Sequence, residues 1–272
     1  MQTIFYAGHS FLHRLNPLSK LLVSLPLMVF MLLTSEPWTP LAFILLTIVL
    51  LFTLGQVSLA RLIRILRPML LIVLFFLLLY PFLIRASLVN HTPLLFQIGP
   101  IEVYQGGVYS GLTTGLRVLA LLLLSLPFSL TTDSADFLRA LVQQWRLPYR
   151  LGYSTLAAFR FVPMLQTELA VIQAAQRVRG VNGVHGLRGG LERMRRYAVP
   201  LLATAIRQAE RSALAMEGRA FGAFADRTYF RKMRSSQADW LFVTAMWALS
   251  ILIVLALDWA GLLGPLELLQ IL

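Results

Sequence analysis

The stretch from Trp240 to Leu257 reads WLFVTAMWALSILIVLAL and holds no charged residue. It approaches the ~20 apolar residues that a helix needs to cross a bilayer. Four other apolar runs precede it: Leu21 to Thr34, Leu41 to Leu54, Met69 to Ile84 and Leu112 to Leu130. The first two are short, and flanking residues extend them. Glu36-Pro37 closes the first and Gly55-Gln56 the second, while Arg67-Pro68 and Arg85 bracket the third, where Pro81 is expected to kink the helix. A shorter apolar tail, Leu262 to Leu272, is interrupted by Pro265 and Glu267.

Composition agrees with this pattern. Of 272 residues, 58% are apolar and only 13% charged, against roughly 25% charged in soluble domains. The mean hydropathy is +0.73. A soluble globule cannot cover that much apolar surface, so the fold class expected is an all-α membrane protein with about five transmembrane helices. Disorder is excluded, and so are disulfide scaffolds and Cys-ligated metal or iron–sulfur sites, since there is no cysteine. No small-x-small cleavage site follows the first apolar run, so a signal peptide is not expected.

The net charge is +12, and all but two of the 24 basic residues, Lys20 and Lys232, are arginine. Between Arg139 and Arg234 there are 17 basic residues and 5 acids. Basic residues in short loops set orientation. Arg14 and Lys20 precede the first span, and Arg61, Arg64 and Arg67 lie between the second and third. With a cytoplasmic amino terminus, every strongly basic stretch lies inside. The polar interlude from Ala86 to Ser110 then falls outside, as a short hairpin or re-entrant loop.

The insert from Asp133 to Asp239 has helical, amphipathic patterning. Asp133 suits a helix N-cap, with Leu138, Leu141, Val142 and Trp145 on one face. Leu147-Pro148-Tyr149 breaks that helix. A second is expected from about Ser154 to Arg179, with Leu165, Leu169, Ile172, Gln176 and Arg179 sharing a face and Gly180 at its C′ position. A Gly-rich loop follows, from Gly180 to Gly190. A third helix is expected from about Arg193 to Arg219, where Ser212, Ala215 and Arg219 share a face, with Gly222 ending it. Long helices that end in arginine beside glycine are the most distinctive feature of the chain.

Catalytic chemistry finds little to stand on. There is no G-x-x-x-x-G-K-[ST], so ATP is not bound through a P-loop and any ATPase is another chain. His9 and His13 have i,i+4 spacing, but no carboxylate lies near them, and they read as interfacial histidines rather than metal ligands. We expect no cofactor and no metal. Arg117, inside the fourth span, either faces a partner or cavity or snorkels to the outer interface. The ends Ala175-Gln176-Arg177-Val178-Arg179-Gly180 and Ala215-Met216-Glu217-Gly218-Arg219-Ala220-Phe221-Gly222 carry the main case. Arginine complements a helix C-terminus, which accounts for either one alone. Two such ends 40 residues apart suggest a second role, docking into acidic grooves on two copies of a partner.

These stretches resemble the transmembrane T component of energy-coupling factor (ECF) transporters, the family of EcfT, CbiQ and BioN. That family carries X-Arg-X motifs, typically Ala-Arg-Gly or Ala-Arg-Ser. Val178-Arg179-Gly180 has Val for Ala, and Gly218-Arg219-Ala220 keeps the arginine, with Phe221-Gly222 fitting well after it. Leu12-His13-Arg14-Leu15-Asn16-Pro17-Leu18-Ser19-Lys20-Leu21 is similar to the family's opening, and Pro148 and Phe161-Val162-Pro163 sit where the family has them. The resemblance implies a non-enzymatic scaffold in the cell (inner) membrane. It would link two cytoplasmic ABC ATPases to a small S component that binds a vitamin or transition metal ion. It further implies that Arg179 and Arg219, flanked by Val178, Gly180, Gly218 and Ala220, contact the ATPases. The organisation expected is a four-span region (1–132), a cytoplasmic-side coupling-helix region (133–239) and a final span with its tail (240–272).

Rival classes are weaker. An intramembrane enzyme needs Asp, Glu, His or Ser clustered at membrane depth, and the spans offer none. A self-contained secondary transporter needs repeats and broken helices, and none is seen. The alternative that charge permits is a membrane-tethered basic protein binding nucleic acid or another cytoplasmic partner. The leading interpretation has the lipid bilayer as a partner and involves no nucleic acid.

Overall fold

Asn16 opens the first long helix. Its side-chain oxygen accepts a hydrogen bond from the Leu18 N–H at 3.0 Å, and Pro17 occupies the first helical position, where the missing N–H would have had no partner. The computed structural model describes residues 10–84, 92–98, 101–180, 187–224 and 228–262. A one-turn α1 (Phe11–Arg14) precedes α2 (Pro17–Leu33), α3 (Trp38–Thr53) and α4 (Leu59–Leu83). Strands β1 (Leu94–Ile98) and β2 (Ile101–Tyr104) form an antiparallel hairpin before α5 (Gln105–Thr131). Then come α6 (Ser134–Gln144), α7 (Tyr149–Val178), α8 (Leu187–Glu217) and α9 (Gln237–Trp259). The chain is an all-α membrane protein with one small hairpin. Among the described residues α4, α5, α7 and α9 are long and apolar enough to cross a membrane, and α2 and α3 are shorter apolar helices.

Several boundaries differ from the sequence expectation. The third apolar run lies in a helix that starts at Leu59, so Arg61, Arg64 and Arg67 stand on its first turns rather than in a loop, and the helix runs through Pro68. Arginine stems lie along apolar surface while their heads reach outward, which makes such a start possible. The fourth run is preceded by two more helical turns, from Gln105. The interlude contains the hairpin, although residues 85–91 and 99–100 lie outside the described set. Gly189 and Gly190, expected in a loop, belong to α8. The expected apolar tail after Leu262 also lies outside the described residues.

The chain divides into two compact units, residues 1–137 with 234–272, and residues 138–233. In the first, α5 packs against α2, α3 and α4. Its two faces serve two cores. Ala120 and Leu124 join Leu27, Met31, Phe43 and Met246 on one side, and Leu119, Leu123 and Leu130 join Leu51, Val57 and Leu62 on the other.

Close approach of α4 to α5 depends on glycine. Gly107, Gly111 and Gly115 recur every fourth residue and form one stripe. A Cβ at Gly111 would lie 2.9 Å from the Phe76 carbonyl oxygen, and at Gly115 3.1 Å from the Val73 Cα. These are backbone atoms that cannot rotate away. In lipid, where apolar side chains gain little by leaving the solvent, such backbone proximity supplies much of the packing energy.

Arg117 acts within the chain. Its guanidinium donates to the Thr34 carbonyl at the C-cap of α2, placing positive charge where that helix leaves carbonyls unpaired. Nearby, the Tyr109 hydroxyl donates to Glu36 Oε2 at 2.5 Å.

Gly111→Val should destabilise the detergent-solubilised protein by about 1–3 kcal/mol through overpacking, outweighing the few tenths of a kcal/mol of helix propensity it gains. Gly190→Ala, at a helical glycine with nothing within 4 Å among the described residues, should not destabilise. Thermal unfolding midpoints of the two variants check this contrast.

Candidate functional site

The unit from 138 to 233 is built on the α7–α8 pair. One cleft joins Gln176 and Arg179 at the end of α7 to Glu192 and Arg195 near the start of α8, and another joins Tyr153 and Arg160 in α7 to Ser212 and Arg219 at the far end of α8. The helices therefore run antiparallel, and Arg179 and Arg219 stand at opposite ends of the pair rather than together.

Both arginines occupy the same local geometry. Arg179 is the C-cap of α7, and Gly180 after it has φ +76° and returns its N–H to the Arg177 carbonyl at 3.1 Å. At the other tip, the helix ends at Glu217 and the chain turns through 218–222. Ala220 has φ +55°, its N–H bonds the Glu217 carbonyl at 2.9 Å, and the Phe221 N–H bonds the Met216 carbonyl at 3.0 Å. That pair of bonds is a Schellman motif with Arg219 at the C-cap and Ala220 at the left-handed C′ position. Gly180 and Ala220 are thus structural equivalents, although only glycine adopts that backbone without strain.

The motif side chains point outward. Val178 is 90% exposed, and Arg179, Gly180, Gly218, Arg219 and Ala220 are all exposed. No hydrogen bond or ion pair to the guanidinium of Arg179 or Arg219 is found among the described residues. Both therefore remain available for charge-assisted bonds to another chain. The cleft beside Arg179 has about 630 Å³ and that beside Arg219 about 460 Å³.

Phe221 and Gly222 at the Arg219 tip are held by Tyr149, Arg150 and Tyr153, to which sequence reading gave no such role. Phe221 sits edge-on to Tyr149 (centroids 5.8 Å apart) and Tyr153 (6.5 Å). Arg150 Nη2 donates to the Gly222 carbonyl at 2.7 Å, and the Tyr149 hydroxyl donates to the Phe224 carbonyl at 2.8 Å. Farther along, Gln143 pairs with the backbone of Met233 and Arg231, and Gln144 Nε2 donates to the Met233 carbonyl at 3.2 Å.

The packed side of α7 includes Leu165, Leu169, Ile172 and Gln176 of the expected face, while Arg179, expected with them, is the exposed C-cap, and Phe159, Val162, Met164 and Val171 are exposed too. Apolar residues on more than one side explain why composition ranks this helix with the membrane spans. Asp133 Oδ1 caps α6, accepting from the Ala135 N–H at 2.7 Å. His13 Nδ1 lies 2.6 Å from Ser10 Oγ, whereas His9, His91, His185 and residues 181–186 of the Gly-rich loop lie outside the described residues. Among the described residues no group of three His, Cys, Asp or Glu is placed to hold a metal.

A family model described as CbiQ, cobalt transport protein, matches residues 8–230. The chain is 30% identical over 262 residues to the energy-coupling factor transporter transmembrane protein EcfT of Bacillus subtilis (strain 168), covering 92% of this chain and 95% of that protein. It is 30% identical to EcfT of Thermosediminibacter oceani over 245 residues (86% and 89% covered). Identity to EcfT of Streptococcus thermophilus is 28% over 259 residues (92% and 95% covered).

The shared tip geometry sets opposite signs for two small substitutions. Ala220→Gly should stabilise the protein by about 1 kcal/mol, and Gly180→Ala should destabilise it by a similar amount. Among the described residues no atom lies within 4 Å of the added Cβ at position 180, so the expected effect there is backbone strain. Thermal unfolding of both variants measures it.

Proposed function

The chain belongs to the CbiQ family, the transmembrane T components of energy-coupling factor transporters, and on that premise we propose that it couples two cytoplasmic ABC ATPases to a small substrate-binding S component through Arg179 and Arg219. A T component is a transporter subunit rather than an enzyme in its own right. In this reading ATP is bound and hydrolysed by the partner chains, and a vitamin or transition metal ion is bound by the S component.

The observation that carries the proposal is the pair of exposed C-cap arginines, each followed by a left-handed residue, at opposite ends of one antiparallel helix pair. A guanidinium in that position reaches past the helix end and suits a bidentate contact to a carboxylate in a groove. Val178, Gly180, Gly218 and Ala220 shape the two tips. The exposed Phe159, Val162 and Val171 of α7, with Val199, Leu202 and Ile206 of α8, offer an apolar surface on which an S component can rest. The arginine-rich region then faces the cytoplasm, with the amino terminus on the same side and the chain in the cell membrane.

Tagged protein purified from its native membrane should bring down an ABC ATPase pair and a small hydrophobic protein. Arg179→Glu and Arg219→Glu should each lower ATPase recovery and uptake by at least about tenfold, because the reversed charge meets a desolvated carboxylate. Arg→Lys at either position should be milder but impaired, having lost the bidentate fork. Full uptake by the double Glu variant refutes the assignment.

A further inference from the structure

Lys20 is one of two lysines in an arginine-rich chain, and it is only 3% exposed. A buried ammonium is costly unless all three of its protons find acceptors. Here they do. Lys20 Nζ donates to the Thr131 carbonyl at 3.0 Å, to Thr131 Oγ1 at 2.9 Å and to Thr132 Oγ1 at 3.2 Å. Thr131 is the last residue of α5, so the lysine satisfies a terminal carbonyl and brings positive charge to the negative end of that helix.

One turn away, the same end of α2 grips the start of α9. Asp239, 4% exposed, accepts from the Asn16 N–H at 2.7 Å and from the Ser236 N–H at 2.6 Å. It completes a capping box with Ser236 and attracts Lys20 electrostatically. Residues 131–132 lie a few residues before the 138–233 unit in sequence, and residues 236–239 a few residues after it. Both crossings are therefore tied to residues 16 and 20 of a single helical turn.

We propose that Lys20, with Asn16 and Asp239, is a positioning residue that clamps the two chain connections of the coupling unit to the first turn of α2. The consequence drawn for transport rests on the coupling role given above. A connection held by one bond swivels, whereas two connections fixed at one point pass a displacement of the unit on to α2, α5 and α9.

The absence of cysteine permits a direct test. Nitroxide labels at Ser134→Cys and Ser235→Cys, both exposed, report the distance between the two connections by pulsed electron paramagnetic resonance on the full chain in nanodiscs. The parent should give one narrow distribution. Lys20→Met should broaden it about twofold by loosening the local structure. Lys20→Arg should restore most of the narrowness, and Thr132→Val should broaden it less. Thr132→Val removes a single acceptor and keeps the test open if Lys20→Met folds poorly. In membranes holding the whole transporter, the variant with the broadened distribution should lower uptake per ATP hydrolysed by at least about fivefold, with ATPase recovery unchanged. An unchanged distribution in both Lys20→Met and Thr132→Val overturns the proposal, and so does a broadened one with normal uptake per ATP. Neither result touches Arg179 and Arg219, which stand or fall on ATPase capture.

Discussion

Backbone contact between α4 and α5 is the constraint on which the membrane unit depends. Leucine gains almost nothing by moving from lipid to protein, so helices in a bilayer are held by close packing and by hydrogen bonds. The Gly107–Gly111–Gly115 stripe lets the α4 backbone reach that of α5. On its other sides α5 is free to present Leu119, Leu123, Ala120 and Leu124 to two cores. Polar ties then fix the ends: Arg117 on the Thr34 carbonyl at one place, Lys20 on Thr131 and Thr132 at another. Dispersion packs the middle of the unit and charge-assisted hydrogen bonds set its termini.

The second unit is organised around helix ends instead. Arg179 and Arg219 share the C-cap geometry, yet their surroundings differ. Among the described residues nothing approaches within 4 Å of a would-be Cβ at Gly180, while Gly222 lies under the Arg150 guanidinium and Phe221 is wedged between two tyrosines. The Arg219 tip is thus preorganised by α7, which lowers the ordering cost of any contact made there.

What the sequence revealed follows from which forces are local. Apolar runs mark lipid contact directly, so the first run lies in α2 up to Leu33, with Thr34 as its C-cap, and Trp240–Leu257 lies within α9. Helix starts were misread where a local signal was overruled by packing. The arginines before Pro68 look like a loop but stand on α4, and the glycines before Leu112 look like a turn but are the packing stripe of α5. The i,i+4 spacing of Gly107, Gly111 and Gly115 is itself readable in the sequence. The arginine tips were legible because a helix C-terminus is written in a few adjacent residues. The lock on Phe221 was not, because Arg150 and Gly222 are 72 residues apart in the chain. Lys20 is legible as a basic flank of the first span and as part of a motif, but not as a clamp, since its partners lie 111 and 112 residues away.

The antiparallel course of α7 and α8 makes their length a ruler. With 30 residues in α7 and Arg219 seated beside its first turns, the two guanidinium groups are separated by on the order of 30–40 Å of rigid helix, at 1.5 Å per residue. Insertions or deletions along these rods would alter that span in steps of one rise and swing the tips around the axis at the same time. The span between the two guanidinium groups is therefore quantised, and a change in either rod that departs from whole turns would rotate its arginine away from the side it now faces.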